Sequence, residues 1–200
     1  MLHSTPGILW RVFCAIELPD ILPARVRMHI AKLKDAVPTA HASWTRDANL
    51  HLTLKFLGEL PQTSVESFSA AVSRAVEGFT PFRIFLEYTG VFPKAGSPRV
   101  LWIGINDPEG MLSQLHARLE DECEQVGFER EDRPYSPHLT VARLRKPQHA
   151  RTLAVAHRQL AFEPASIIVS ELLVIRSQLS SEGSKYTVIS RHPLSSQQGE

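Results

Sequence analysis

Two short stretches place a histidine and a threonine in apolar surroundings: HLTL beginning at His51 and HLTV beginning at His138. The ordinary pKa of a histidine is near ~6.5, so two facing histidines can act as general base and general acid near neutral pH. The hydroxyls of Thr53 and Thr140 can donate hydrogen bonds to the oxygens of a bound anion. Together these four side chains suit the cleavage of a phosphodiester without a metal ion.

Both stretches have the composition of β-strands, in which alternate side chains share a face. In the first stretch, His51, Thr53 and Lys55 are expected on one face, with Lys55 reaching only solvent. The apolar residues are expected on the opposite face, against the core: Leu50, Leu52, Leu54 and Phe56. A single His-x-Thr pattern in a strand is most often a half-exposed polar row. Two copies at matching positions favour a functional role.

The rest of the chain predicts strands and helices in an order that occurs twice. Each half is expected to run strand, helix, His-Thr strand, helix, strand, and one further strand follows. The predicted strands are 10–18, 49–58, 82–92, 99–105, 137–144, 165–179 and 185–191, and the predicted helices are 21–37, 64–79, 110–127 and 149–162. The sequence distance from Trp10 to His51 nearly equals that from Arg99 to His138.

This repetition predicts an internal duplication within one bilobal domain that spans residues 1–200. The two halves are 1–92 and 99–192, and the loop PKAGSPR between them is rich in proline, glycine and serine. A short disordered tail is expected over the final PLSSQQGE.

Composition narrows the class of protein. With 43% hydrophobic and 22% charged residues in a chain of 200, the sequence is typical of a soluble globular protein with a substantial core. A net charge of +1 argues against extensive wrapping of duplex nucleic acid and leaves room for a local groove. Cys14 and Cys123 are too few for a disulfide framework, so a cytoplasmic protein is expected. Arg11 interrupts the apolar N-terminal run, which predicts a strand there, and neither a signal peptide nor a membrane span is expected.

No metal or cofactor is expected from the remaining motifs. The other histidines are scattered and lack carboxylates at ligand spacing: His3, His29, His41, His116, His149, His157 and His192. His149 and His157 lie on one predicted helix and are expected to face solvent. The sequence contains no GxxxxGK phosphate loop, which weakens any proposal of ATP-dependent chemistry.

The chain resembles the 2H phosphoesterases, a superfamily named for two His-x-Thr/Ser motifs, and within it the RNA 2′,3′-cyclic phosphodiesterases, long called 2′-5′ RNA ligases. The resemblance extends over nearly the whole chain. It includes RVFCAIELP, Trp44 ahead of NLHLTLKFLGE, GVFPKAGSPRVLWIGI, RPYSPHLTVARLR and SQLSSEGSKYTVI. All four motif positions match the family pattern.

The resemblance implies an α+β fold of two lobes, with two antiparallel sheets lining a central cleft and helices outside. It also implies hydrolysis of RNA 2′,3′-cyclic phosphate ends to a 2′-phosphate, with reverse 2′-5′ ligation as a related activity and no nucleotide cofactor. His138 would be the base that activates water and His51 the acid that protonates the leaving oxygen. Pseudo-symmetry makes these two roles nearly interchangeable.

Further residues are candidates for substrate binding. Arg143 matches a family arginine that could pair with phosphate, but simple alternation puts it on the apolar face unless a bulge or the strand end intervenes. Arg133 and Tyr135 flank the second motif and could contact a base. Trp44 and Phe92 also flank the motifs and are expected to pack in the core.

Two other functions stay open at this stage. One is hydrolysis of a small cyclic phosphate, such as a nucleotide or an ADP-ribose derivative. The other is a binding module for nucleotides or RNA without turnover. The intact histidines and threonines favour an enzyme, because a binding protein would be free to lose one of them. The expected partner is therefore an RNA end or a small nucleotide, and the protein is expected to be a monomer that does not bind membranes.

Overall fold

The computed structural model describes residues 8–146, 148–181 and 183–195. Within these ranges the chain forms nine strands, four α-helices and two short 3₁₀-helices. The strands are β1 (Leu9–Glu17), β2 (Ser43–Trp44), β3 (His51–Pro61), β4 (Phe82–Phe92), β5 (Val100–Asn106), β6 (His138–Arg143), β7 (Ala165–Val169), β8 (Glu171–Ser180) and β9 (Gly183–Pro193). The helices are α1 (Ile21–Ala36), α2 (Val65–Val76), α3 (Met111–Gln125) and α4 (Ala150–Gln159).

The strands form two antiparallel sheets, which confirms the α+β fold. The first sheet has the order β3-β1-β8-β9, and the second has the order β2-β6-β5-β4-β7. Each sheet therefore combines strands from both halves of the sequence, because β4 pairs with β5 of the second half and β8 pairs with β1 of the first. The duplication of the two halves stays a prediction.

The helices pack on the sheets through their apolar stripes. Helix α2 contacts β8 and β9, and α3 contacts β3, so this pair covers the first sheet. Helix α4 contacts β4 and also packs on α1, so the other pair covers the second sheet. In α1 the buried apolar residues recur at the three- and four-residue spacing of one helix face: Leu22, Val26, Ile30 and Leu33. None of the four helices is long and apolar enough to cross a membrane.

The prediction of one strand over residues 165–179 was wrong. Strand β7 ends at Val169 and β8 begins at Glu171, and the two strands belong to different sheets. The chain therefore passes from the second sheet to the first at Ser170. Apolar and β-branched residues are continuous on both sides of this point, so the sequence pattern contained no turn signal.

Two other expectations need correction. His157 does not face solvent; it is fully buried, with Nδ1 3.1 Å from Nε2 of His29 and Nε2 donating to the Trp102 carbonyl oxygen at 2.9 Å. The C-terminal tail does not begin at Pro193, because Leu194 is buried and its backbone N–H donates to the Ser170 carbonyl. Residues 196–200 of the predicted tail lie outside the described residues.

Candidate active site

The two His-Thr motifs lie at equivalent positions in the two sheets. His51 and Thr53 begin β3 and pair with Glu17 and Ala15 of β1. In the second sheet, His138 and Thr140 begin β6 and pair with β5: His138 lies opposite Gly104 and Thr140 opposite Trp102. Strands β3 and β6 also contact each other directly. The fold therefore brings the two predicted motifs next to one another.

Each motif is followed by a β-bulge at the same place. In β3, Thr53 and Lys55 pair with consecutive residues of β1, so Leu54 is the extra residue. In β6, Thr140 and Ala142 pair with consecutive residues of β5, so Val141 is the extra residue. Because a bulge shifts the alternation of side chains by one residue, positions after it point to the opposite face from the one that simple alternation predicts.

The first bulge overturns the predicted positions of Lys55 and Phe56. Lys55 is not on the His-Thr face; it is only 5% exposed, and its Nζ donates to Glu120 Oε2 of α3 at 2.7 Å and to the Glu129 carbonyl at 2.8 Å. Phe56 is not part of the core and is 48% exposed. Its ring lies 6.4 Å from that of Phe13, which contacts His51.

The second bulge has the corresponding effect on Arg143. Val141 and Ala142 are both buried, whereas Arg143 is exposed at the end of β6. The charge of Arg143 lowers the pKa of both His51 and His138, so this guanidinium lies within electrostatic reach of both motifs. The bulge that Arg143 requires is therefore present. Its role in binding stays a prediction.

Aromatic rings surround the half-buried side chain of His51. Phe13 lies against it with a centroid separation of 4.7 Å, and Tyr186 of β9 meets it edge-on at 5.2 Å. Its Nδ1 is buried and makes no well-formed hydrogen bond to any described residue, although the Asn49 carbonyl lies close enough to raise the pKa of the ring. Phe13 and Tyr186 belong to a small apolar cluster on this face of the first sheet, with Ala15, Leu173 and Ile175.

The side chain of His138 is held by the backbone two residues before it. Its Nδ1 donates a hydrogen bond to the Ser136 carbonyl oxygen at 2.7 Å, which leaves Nε2 as the acceptor nitrogen of the neutral ring. Phe92 meets the ring edge-on at 5.0 Å, and Trp102 lies at 6.2 Å. The structure thus fixes both the tautomer and the orientation that a general base needs.

Both histidines have pKa values below the ordinary value for histidine. Burial is the largest cause for each, and it lowers the pKa of His51 to about 4. The positive charge of Arg143 adds to the lowering, while the carbonyls of Asn49 and Ser136 oppose it. Both rings are therefore neutral in the unliganded protein near neutral pH. A bound anion would raise both pKa values, because negative charge stabilises the protonated ring.

The two threonines lie beside the histidines with their hydroxyls free for a ligand. Thr53 and Thr140 are both half-buried. In the part of the chain that the structure describes, neither hydroxyl makes a hydrogen bond to another protein group. Each can therefore donate to an anion held between the two strands.

Arg133 and Tyr135 lie in different surroundings from the four motif residues. The Arg133 side chain is 85% exposed and pairs with Glu131 at 3.0 Å in the loop before β6. The Tyr135 ring stacks on His116 with a centroid separation of 3.7 Å, and its hydroxyl is buried without a hydrogen-bond partner among the described residues. Burial raises the pKa of this hydroxyl. A role for either residue in substrate binding stays a prediction.

An aromatic surface beside His138 was not predicted. Phe92, expected in the core, contacts both His138 and Trp102, whereas Trp44 packs against the core as expected. A Cβ atom added at Gly90 would lie 2.1 Å from the Trp102 ring, and the same addition at Gly104 would lie 2.1 Å from the ring of Tyr88. The rings therefore lie directly on glycine backbone. The alternation of glycine with aromatic residues in YTGVF and LWIGI is the sequence signal for this packing.

The remaining groups with metal or thiol chemistry are apart from these motifs. In residues 8–146, 148–181 and 183–195, no group of three or more His, Cys, Asp or Glu side chains is placed to hold a metal ion. Cys14 and Cys123 are buried and free, and burial raises the pKa of both thiols.

Two antiparallel sheets that present paired His-Thr motifs on contacting strands define a phosphoesterase of the 2H type. The family model for the 2′-5′ RNA ligase superfamily matches residues 22–180, and the chain belongs to this superfamily. The relationship that the motifs predict is thereby confirmed.

Named relatives agree with this assignment. The chain is 35% identical to the RNA 2′,3′-cyclic phosphodiesterase of Methanothermobacter thermautotrophicus, over 88% of this chain and 95% of the relative. It is 30% identical to the protein of the same name from Thermus thermophilus, over 94% and 92% of the two chains. The crystal structure of E. coli LigT complexed with 3′-AMP superposes with a TM-score of 0.71 at 25% identity, covering 94% of this chain and all of LigT (100%).

Proposed function

We propose that this protein hydrolyses 2′,3′-cyclic phosphate ends of RNA to 2′-phosphates. The observation that carries the proposal is the pair of equivalent His-Thr motifs on contacting strands, with the charge of Arg143 within reach of both histidines. The relatives named RNA 2′,3′-cyclic phosphodiesterase support the same reaction.

The chemistry requires one proton to be removed and another to be supplied. A water molecule attacks the cyclic phosphorus while the base accepts its proton. The bond from phosphorus to the 3′-oxygen breaks, and the acid protonates this leaving oxygen. The product carries a free 3′-hydroxyl and a 2′-phosphate, and the two histidines have exchanged their protonation states.

The surroundings of the two histidines support the assignment of His138 as base and His51 as acid. A base becomes positively charged in the transition state, and the Ser136 carbonyl that accepts from Nδ1 of His138 stabilises that charge. Burial lowers the pKa of His51 to about 4 in the unliganded protein, and the negative charge of a bound phosphate would raise this pKa, so that the ring can carry the proton that the acid supplies.

The threonines and Arg143 serve the phosphate in this proposal. The hydroxyls of Thr53 and Thr140 donate to the two non-bridging oxygens from opposite strands. Arg143 supplies a positive charge for the negative charge that develops on those oxygens in the transition state. Arg133 and Tyr135 have no assigned part in the chemical step.

A second candidate is the hydrolysis of a small cyclic nucleotide. The solved LigT complex with 3′-AMP supports it, because that relative holds a mononucleotide. In this chain the rings of Phe92 and Trp102 beside His138 offer a surface for a single base. A cytoplasmic location and a monomeric state remain part of the proposal from sequence.

One assay tests the proposed function directly. A short RNA with a 2′,3′-cyclic end is incubated with the protein in excess EDTA, and the product is compared with 2′- and 3′-phosphate standards by chromatography and mass. We expect complete conversion to the 2′-phosphate. A 3′-phosphate product, or loss of activity in EDTA with recovery on adding a divalent ion, would contradict the two-histidine mechanism.

A further inference from the structure

A cluster of unpaired cations lies beyond the Arg143 end of β6. Its members are Arg143 at the end of β6, Lys94 and Arg99 of loop 93–99, and Arg145 and Lys146 of loop 144–146. All five are exposed, and none makes an ion pair with a described residue. The segments 93–99 and 143–151 contain no aspartate or glutamate. In a chain with a net charge of only +1, this is a concentrated local field.

The two loops flank an open pocket. The pocket has a volume of about 530 Å³ and is lined by Ser97, Pro98, Arg99, Leu144, Arg145 and Lys146. The backbone N–H of Leu144 donates to the Arg99 carbonyl at 2.8 Å, which fixes one loop against the other. Pro98 and Leu144 are buried while the three charged residues are exposed, so the pocket has an apolar base and a cationic rim.

This cationic pocket continues from the proposed phosphate site. Arg145 follows Arg143 by two residues, a separation of at most about 7 Å along extended chain. Arg99 precedes Val100, which pairs with Arg143 across the sheet. A polyanion that is held at Arg143 can therefore extend directly to the pocket.

Two acidic side chains lie near the start of the first motif strand. There Glu17 pairs with His51 across β1 and β3, and Arg191 bonds to Glu171 at 2.6 Å and to Glu17 at 3.4 Å. Glu17 and Glu171 are both engaged by Arg191, whereas the five cations beyond β6 have no carboxylate partner among the described residues.

We infer that the cationic pocket formed by loops 93–99 and 144–146 binds the backbone phosphates of single-stranded RNA upstream of the cyclic end. The inference rests on the proposed function and refines it, because it makes an oligonucleotide a better substrate than a mononucleotide. Each phosphate contact on a single strand contributes about 0.7 to the slope of log affinity against log salt. The pocket therefore gives RNA cleavage a salt dependence that mononucleotide cleavage lacks.

The test compares two substrates in one variant. Arg145→Ala/Lys146→Ala removes two rim charges outside the catalytic motifs. For a ten-nucleotide RNA with a 2′,3′-cyclic end, we expect kcat/KM at low salt to fall about tenfold, mostly through KM, since two exposed charge contacts are lost. The slope of log kcat/KM against log salt concentration should become shallower by about 1.4. For a nucleoside 2′,3′-cyclic phosphate, the loss should be less than about twofold.

A matched control removes two cations elsewhere. Arg83→Ala/Arg118→Ala changes the net charge equally, and Arg83 lies at the end of β4 remote from the pocket while Arg118 lies on α3. This control should keep the wild-type kcat/KM for the RNA and the wild-type salt dependence. Equal losses with both double variants, or equal losses on both substrates, would overturn the inference.

Direct binding separates this inference from the proposed function. Fluorescence anisotropy with a labelled ten-nucleotide RNA measures the pocket without any turnover. Binding that weakens in Arg145→Ala/Lys146→Ala and not in the control supports the pocket even if the wild-type protein cleaves no cyclic end. Cleavage by the wild type with unchanged RNA binding in the variant would support the proposed function and overturn the pocket.

Discussion

The two His-Thr strands follow the same backbone course over the motif and its bulge, but they have different neighbours. Both begin with the motif, and in both the extra residue of a bulge is the third residue after the histidine. At the fourth position one strand has the buried cation Lys55 and the other has Ala142. At the fifth position one has the aromatic Phe56 and the other the cation Arg143.

The comparison shows how an apparently symmetric site acquires unequal halves. In both strands the bulge turns the fifth residue after the histidine toward the face of the histidine. These residues are Phe56 and Arg143, and only Arg143 is charged. The histidines differ as well, because Nδ1 of His138 donates to the Ser136 carbonyl while Nδ1 of His51 has no well-formed hydrogen bond to a described residue. Equivalent backbone therefore positions the groups, and the neighbours set their chemistry.

The largest expected effect comes from replacing either histidine. His51→Gln and His138→Gln should each lower kcat by about 10²–10⁴-fold, the usual contribution of a positioned acid or base. The Kd for a 2′-phosphorylated product, measured by calorimetry, should change far less because Thr53 and Thr140 remain. His41→Gln, at an exposed position, is the matched control and should keep wild-type kcat. Near-normal kcat with parallel loss of affinity in both variants would identify the histidines as binding groups only.

The next effect concerns stability and the buried cation of the first strand. Lys55→Met leaves Glu120 buried without its partner, which should lower the free energy of unfolding by about 3–5 kcal/mol in urea titrations. Lys55→Met/Glu120→Leu should recover most of that loss, since no uncompensated charge remains. An unchanged free energy of unfolding with a large fall in kcat would instead place Lys55 in the catalytic site.

The fifth positions provide a direct contrast between the strands. Arg143→Gln should lower kcat/KM by about 10–100-fold, because a charge-assisted contact to phosphate is lost. Phe56→Leu keeps an apolar side chain beside Phe13 and should cost less than about threefold, within the range of a lost exposed cation–π contact with Arg11. Losses of equal size would show that the two positions contribute equally despite their different chemistry.

The smallest effect is a displacement of the pH profile. One histidine must be neutral and the other protonated, so the plot of kcat/KM against pH should be bell-shaped. Because the pKa values of both histidines are lowered in the free protein, the maximum of this plot should lie below pH ~6.5. Bound phosphate raises both pKa values, so the maximum in the plot of kcat against pH should lie at higher pH than the maximum for kcat/KM. Arg143→Gln removes a cation and should shift the maximum of kcat/KM to higher pH by a few tenths of a pH unit. Arg83→Gln is the control, and an equal shift there would refute the local effect of Arg143.

The sequence predicted most of the fold and located the two His-Thr motifs, whose catalytic roles stay predictions, and the wrong predictions have physical causes. Period-two alternation placed Lys55 and Phe56 on the wrong faces, because a bulge reverses the alternation and has no residue signature here. The corresponding bulge in β6 made the position of Arg143 ambiguous from the sequence. His157 was expected in solvent, but its partner His29 lies on another helix, and such a pair is visible only in three dimensions. The crossing at Ser170 separates two strands that are equally apolar.

The central claim is that His51 and His138 act in one proton-transfer step, and the double variant tests it most directly. We measure kcat for His51→Gln, His138→Gln and His51→Gln/His138→Gln on the same cyclic-ended RNA. If the two groups act as a unit, single losses of about 10³ each should give a double loss far smaller than about 10⁶. A loss of kcat in the double variant equal to the product of the two single losses would mean that the histidines contribute independently. That result would contradict a base and an acid that act in the same step.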